Sequence, residues 1–144
     1  MSAQTHIRIA HAITNVARSA WDALTAQASP FLEWDWLASL EESGCVAANK
    51  GWAPHHVLVE EAGRLVAACP LYLKSHSEGE FVFDWEWAHA SESAGVPYYP
   101  KMLVAVPFTP ATGQRFLTAP DVDRPEMVRL LGQVLIQVCD QNEL

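Results

Sequence analysis

The sequence predicts a mixed α/β (α+β) fold, a mostly antiparallel sheet flanked by helices. Three observations carry that expectation. Short apolar runs bounded by turn residues recur at 6–13, 55–61 and 64–74. Helical apolar spacing marks the stretches around 21–28, 31–42 and 127–138. Ala62-Gly63 joins two of the strand-like runs with the chemistry of a tight hairpin turn.

In chain order, residues 6–13 alternate around Ile7 and Ile9 and read as a first strand. Ser19 is placed to cap a helix carrying Trp21, Leu24 and Ala28. Pro30 interrupts it and opens a second helix over 31–42, in which Phe31, Trp34, Leu37 and Leu40 recur every three residues and Gly44 is the stop. A Gly51-Trp52-Ala53-Pro54 loop leads into a strand over 55–61, and the hairpin returns along 64–74. Pro70 inside that strand implies an edge or a bulge, because proline cannot donate to the ladder. Residues 81–83 suit a short strand, 87–94 a short helix ending at Gly95, and 102–106 a strand buried on both faces. After a loop over 108–120, Asp123 or Arg124 starts a last helix with Pro125 in its first turn. Its stripe is Met127, Leu130, Leu131, Val134, Leu135 and Val138, and a returning strand is expected beyond it, so the chain reads as incomplete.

The 144 residues suit one domain with its own core, half of them hydrophobic and 18% charged, so a globular rather than a disordered chain is expected. A net charge of −8 without a basic run repels phosphate backbones and argues against DNA as a partner. No apolar run approaches the roughly 20 residues of a membrane span, and the amino terminus lacks a signal-peptide core. Cys45, Cys69 and Cys139 are odd in number and widely spaced, which predicts reduced thiols and a cytoplasmic setting, with Cys69 buried in its strand. His55 and His56 are adjacent on a strand, so their side chains point to opposite faces, and no metal-binding spacing occurs.

The densest chemistry lies between Lys74 and Gly113, where titratable side chains alternate with short apolar runs. His76, Glu80 and Asp84 are the candidate proton acceptors: His76 titrates near neutrality, and the two carboxyls have Phe81 and Trp85 as apolar neighbours. Each reads equally as a turn, cap or ion-pair residue. Trp85, Trp87, Tyr98 and Tyr99 suit stacking on a sugar or peptide, or plain core packing. Tyr98 or Tyr99 could protonate a leaving group and Lys101 could hold an anionic one.

Five tracts are distinctive: Pro30-Phe31-Leu32 to Leu40-Glu41-Glu42-Ser43-Gly44, Gly51-Trp52-x-Pro54-x-His56, Pro70-Leu71-Tyr72-Leu73-Lys74-Ser75-His76-Ser77, Gly79-Glu80-Phe81-Val82-Phe83-Asp84-Trp85, and Tyr98-Tyr99-Pro100-Lys101 to Gly113. Together they cover most of the chain. In them the sequence resembles a bacterial family in the GNAT superfamily, the peptidoglycan biosynthesis/recognition proteins related to the Fem-type aminoacyl transferases. The resemblance implies a GNAT-like fold, often two lobes with the substrate between them, of which this chain would be an incomplete first lobe over 1–144, cut after a helix at about 124–142. It also implies an acyl or aminoacyl group moved to an amine, on a peptidoglycan precursor or another small molecule, with acyl-CoA or an aminoacyl donor as co-substrate. In such folds a phosphate-bearing donor sits on the loop after a central strand, here Thr109-Pro110-Ala111-Thr112-Gly113-Gln114-Arg115. Thr109 and Thr112 would offer hydroxyls, Gly113 close backbone approach, and Arg115 a charged donor. The usual Arg/Gln-x-x-Gly-x-Gly/Ala pattern is absent from that loop. Trp85, Tyr99 and Lys101 would hold the acceptor. A cell-wall recognition module without catalysis, and an inactive product whose exposed sheet edge drives self-association, are the alternatives.

Overall fold

The computed structural model describes residues 4–144. Strand β1 (Thr5–Ala10) is followed by helices α1 (Arg18–Thr25) and α2 (Trp34–Glu42), strands β2 (Trp52–Pro54), β3 (His56–Glu61), β4 (Arg64–Cys69) and β5 (Leu71–Lys74), helix α3 (Trp85–Ser93), strands β6 (Lys101–Val104) and β7 (Leu117–Thr118), and helix α4 (Arg124–Gln141). The strands form two antiparallel sheets, β1-β3-β4-β7 and β2-β5-β6. The mixed helix-and-sheet architecture expected of the sequence is present.

The two sheets arise from one long strand pair that bends. Pro54 pairs with Tyr72 in the second sheet, and Val57 pairs with Cys69 in the first. Pro70 has no N–H to continue the ladder, so the run expected as one strand over 64–74 becomes β4 and β5 in different sheets. The loop expected before β3 holds β2 for the same reason, since it lies opposite β5. At the other end of the pair, Ala62 (φ 50°) and Gly63 (φ 78°) both adopt left-handed angles, the geometry of a two-residue hairpin loop.

Helices cover the first sheet on both faces. Trp21, Leu24 and Leu37 of α1 and α2 pack with Leu58 and Ala68 on one side. Met127, Leu131, Val134 and Val138 of α4 pack with Val57, Val59 and Val66 on the other. Each such side chain, fully buried, contributes about 1.5–3 kcal/mol. Indole N–H groups fasten the helical layer: Trp21 donates to Leu32 O at 2.8 Å, and Trp34 to Ile13 O at 3.0 Å.

Several expected elements differ. Alternation over 6–13 stops at Ala10, and Ile13–Asn15 is a 3-10 turn. Ser19 lies inside α1 and Ala17 holds the cap position, without a side-chain bond. Pro30–Leu32 is a separate 3-10 turn whose Ser29 Oγ accepts from Phe31 N, so Phe31 precedes α2. The three-residue recurrence from Phe31 matches 3-10 spacing as well as an α-helical face. Residues 81–83 form no strand, because Phe81, Val82 and Phe83 stand 54%, 78% and 73% exposed with no ladder partner. The strand expected as doubly buried over 102–106 is β6, half-buried along its length because it is a sheet edge. The helix α4 fits its expectation closely: Asp123 Oδ1 accepts from Glu126 N at 2.9 Å and Pro125 sits in the first turn.

Candidate functional site

Antiparallel register sets Lys74, at the end of β5, directly opposite Lys101, at the start of β6. Two like charges face to face require an anion between them. Glu80 supplies it from the turn that follows β5: Lys101 Nζ donates to Glu80 Oε2 at 2.9 Å, and Lys74 Nζ lies 3.9 Å from Oε1. The Lys74 side chain is fully buried and that of Glu80 is 6% exposed.

The network spreads from Lys101. It donates to Ser77 Oγ at 3.1 Å and to Asp84 Oδ2, and Tyr98 Oη donates to the same Asp84 oxygen at 2.7 Å. Ser77 Oγ and Tyr99 Oη are 2.6 Å apart. Burial raises the Asp84 pKa, but hydrogen bonds from Lys101, Ser77 and Tyr98 outweigh it and bring the group down to about 2. The bond to Asp84 raises the Tyr98 pKa and keeps the phenol protonated. Burial works against the Lys101 charge, yet its bonds to Asp84 and Glu80 prevail and raise its pKa. Lys74 differs: burial lowers it to about 8, with Glu80 opposing the shift and Lys101 adding to it. Its Nζ donates to Glu78 O at 3.0 Å and sits 3.6 Å above the Trp52 ring.

Tyr98, Tyr99 and Lys101 border one cavity, and Glu80 brings the network to another. A cavity of about 260 Å³ is bordered by Glu80, Trp52, Leu103 and Val106 and by Thr109, Thr112 and Arg115 of the loop after β6. The turn that carries Glu80 is clamped to that loop, with Phe108 N donating to Gly79 O at 3.2 Å. A Cβ on Gly79 (φ 80°) would come within 2.5 Å of the Phe108 ring, so the contact needs glycine. Two buried polar atoms of the lining residues, Trp52 Nε1 and Glu80 Oε1, have no hydrogen-bond partner among the described residues. Arg115 donates to the Ala111 and Gln114 carbonyls, pairs with no carboxylate among the described residues, and has its pKa lowered by burial.

The residues singled out from the sequence thus divide. Glu80, Asp84, Tyr98, Tyr99 and Lys101 come together in one network, and Glu80, Thr109, Thr112 and Arg115 border one cavity. His76 stands apart from both: its Nδ1 accepts from Glu78 N at 3.2 Å and its ring packs on Gly51, where a Cβ would lie 2.2 Å from Nε2. Gly113 (φ 153°) lies beside Arg115, and a Cβ there would meet the Arg115 guanidinium at 3.4 Å and the Ser29 Cβ at 3.9 Å. Trp85 and Trp87 are 57% and 74% exposed and do not border the cavity, whereas the exposed Phe81 and Val82 form part of its rim; Phe83 packs against Trp85 with ring centroids 5.4 Å apart. His55 stacks edge-on against His11 while His56 is buried, its Nε2 2.9 Å from Glu41 Oε1. The Cys69 thiol is buried as expected, and desolvation pushes its pKa up to about 12. Trp52, Lys74 and Ser77 received no role from the sequence. Trp52 stood within a tract of the resemblance, and Lys74 closed an apolar strand, but their proximity depends on the sheet register.

No helix among the described residues is long and apolar enough to cross a membrane. A family model described as FemAB-like, peptidoglycan biosynthesis/recognition, matches residues 12–144. No curated protein and no solved structure matches the chain.

Proposed function

The chain belongs to the FemAB-like family of peptidoglycan biosynthesis and recognition, and from that premise we propose that it transfers an acyl or aminoacyl group to an amine. A peptidoglycan precursor is the acceptor that the family favours. The observation that carries the reading is the position of Glu80, which is both the hub of two lysines and the acidic border of the cavity.

Acyl transfer to an amine needs alignment, a proton acceptor and a donor for the carbonyl oxygen. Alignment alone can supply about 7–11 kcal/mol. The amine nitrogen attacks the carbonyl carbon of an activated ester or thioester, and a C–N bond forms. The bond to the alcohol or thiol breaks, and the proton lost by nitrogen ends on that leaving group. Glu80 carries the proton between them, because it is the carboxylate on the cavity lining. Asp84, ionised down to about pH 2, is a poor base near neutrality and instead positions Lys101 and Tyr98. Thr112 and Arg115 hold the anionic part of a substrate, while the Thr109 hydroxyl donates to Pro107 O at 2.9 Å and orders the loop. Acyl-CoA and aminoacyl esters are both donors of the required class.

A second reading rests on the exposed Phe81, Phe83, Trp85 and Trp87, which suit stacking against the apolar face of a glycan in a recognition module without catalysis. One experiment separates the two. The protein is incubated with an acyl-thioester or an aminoacyl ester and a muropeptide, and the products are weighed by mass spectrometry. Amide product that disappears with Glu80→Gln supports transfer. Muropeptide binding without amide product from either donor, lost on Trp85→Ala, supports recognition and overturns transfer.

A further inference from the structure

In an antiparallel sheet the N–H and C=O of one residue point to the same side, and those of the next residue to the other. His55 N donates to Leu71 O at 2.8 Å and Ser75 N to Gly51 O at 3.4 Å, so Leu71, Leu73 and Ser75 turn their main chains toward β2. Tyr72 and Lys74 therefore turn toward β6, where they stand opposite Leu103 and Lys101. Met102 and Val104 are left with their N–H and C=O groups on the open side of β6. No strand pairs there, and none of the four groups has a hydrogen-bond partner among the described residues.

This edge carries no free charge to repel another chain. Lys101 is held by Glu80 and Asp84, and Met102, Leu103 and Val104 bring apolar side chains that pack into the two faces of the sheet. The edge also borders the cavity, whose lining includes four consecutive residues, Leu103 to Val106. Side chains of an extended chain alternate between faces, so a cavity that touches consecutive residues touches their main chain. Phe81 and Val82 add an apolar rim. Of the two charged residues in the lining, Glu80 is paired with lysines and Arg115 donates only to the main-chain carbonyls of Ala111 and Gln114. The uncompensated charge of the cavity is positive and suits a carboxylate. An occupant that offers main-chain groups, an apolar side chain and a carboxylate is a peptide. A second copy of the chain fits less well, because its own β6 side chains are already packed and leave none for the cavity.

We propose that the open edge of β6 takes an extended peptide as an added strand, paired with the main chains of Met102 and Val104, with one apolar side chain in the cavity and the carboxyl end at Arg115. This names the acceptor class of the transfer reading and rests on it: the peptide that carries the amine shares the cavity with Glu80. Main-chain pairing supplies affinity whatever the peptide's sequence, and the cavity selects the side chain. Its volume, about 260 Å³, lies below the roughly 300–1,000 Å³ of pockets for drug-sized ligands. It admits a side chain and a chain end, and the rest of the peptide lies along the edge.

The test needs neither donor nor turnover. The ¹⁵N-labelled chain is titrated with the N-acetylated tetrapeptide Ala-Leu-Ala-Ala carrying a free carboxyl end, with its C-terminal amide, and with its singly N-methylated forms. The free acid moves the Met102 and Val104 amide signals saturably and slows their hydrogen exchange. Successive N–H groups of an added strand point alternately toward β6 and away, so N-methylation weakens binding in alternation. Methyls on the nitrogens that face β6 cost at least ~5-fold, the ratio for a lost neutral hydrogen bond, and the others under ~2-fold. The C-terminal amide, and the free acid on Arg115→Gln, each bind ~10-fold more weakly, the ratio for a lost charge-assisted bond. Val104→Pro removes an N–H that faces outward, a change edge strands tolerate, and weakens the free acid at least ~5-fold. Unmoved Met102 and Val104 signals at tens of millimolar peptide, equal losses from every methyl, or equal binding of acid and amide overturn the proposal. Dimerisation that protects the same two amides without peptide makes a second copy the occupant and overturns it too. Amide formation in the mass-spectrometric assay with no shift here defeats only this inference. A shift here without amide formation leaves the strand site standing and defeats the transferase reading instead.

Discussion

Lys74 and Lys101 stand opposite each other across β5 and β6 and share a single carboxylate, that of Glu80. Their environments push them apart. Lys101 keeps its charge through Asp84 and Glu80, whereas Lys74, buried and without a second carboxylate, is lowered to about 8. One buried acid thus holds one firmly charged lysine and one that titrates close to neutrality.

Removing that acid leaves the Lys74 ammonium buried without a carboxylate, while Lys101 keeps Asp84. Glu80→Gln is expected to destabilise the chain by ~3 kcal/mol, the cost of breaking a buried ion pair from one side. Urea unfolding at pH 7 measures it. A loss under about 0.5 kcal/mol, the size of an ordinary surface substitution, contradicts the arrangement.

The Lys74 ammonium sits over the Trp52 ring, so the indole reports its charge. The Trp52 indole resonance is expected to titrate with a midpoint of about 8, and Lys74→Met removes that titration. Stability follows the same group. Between about 8 and 10.5 the unfolded chain binds more protons at Lys74 than the folded one, so stability relative to Lys74→Met rises with pH across that window.

Asp84 acts at the acid end, with the opposite sense. Its pKa is about 2 in the folded chain against 3.8 for an unperturbed aspartate, so its contribution is complete above about pH 4 and is lost as pH falls toward 2. The stability difference between the wild-type chain and Asp84→Asn is expected to shrink over that interval in urea titrations. Tyr98→Phe removes one of the bonds that lower Asp84 and moves the loss to higher pH.

Gly51 (φ 76°) turns the chain beneath His76, and its Cβ position lies 2.2 Å from His76 Nε2. Gly51→Ala is expected to lose about 1–3 kcal/mol from the left-handed backbone alone, plus the clash. Adding His76→Ala relieves the clash and leaves the backbone cost, so the double variant unfolds at a higher temperature than Gly51→Ala. Equal melting temperatures contradict the contact.

Much of the fold was legible because it depends on local chemistry. Ala62-Gly63 identified the hairpin, and Asp123 with Pro125 identified the start of α4. What escaped depends on distant partners. Pro70 was legible as an irregularity, but the switch of sheets needed β2 and β6 on either side of β5. Phe81, Val82 and Phe83 carry strand propensity and find no edge to join. In the site, Glu80, Asp84, Tyr98 and Lys101 were legible as titratable residues crowded between apolar runs. Trp52 read as a loop residue and Lys74 as the end of a strand until the register brought them together. His76 was one of three candidate bases by residue type, and its packing on Gly51 leaves it off the cavity lining.

The most direct test of the account is the rate of amide formation from an activated acyl donor and an amine, compared between the wild-type chain and Glu80→Gln at a temperature where both are folded. Loss of a general base lowers such rates by ~10²–10⁴-fold, and the account predicts a fall in that range. A Glu80→Gln chain as fast as the wild type, or a wild type that forms no amide, contradicts it.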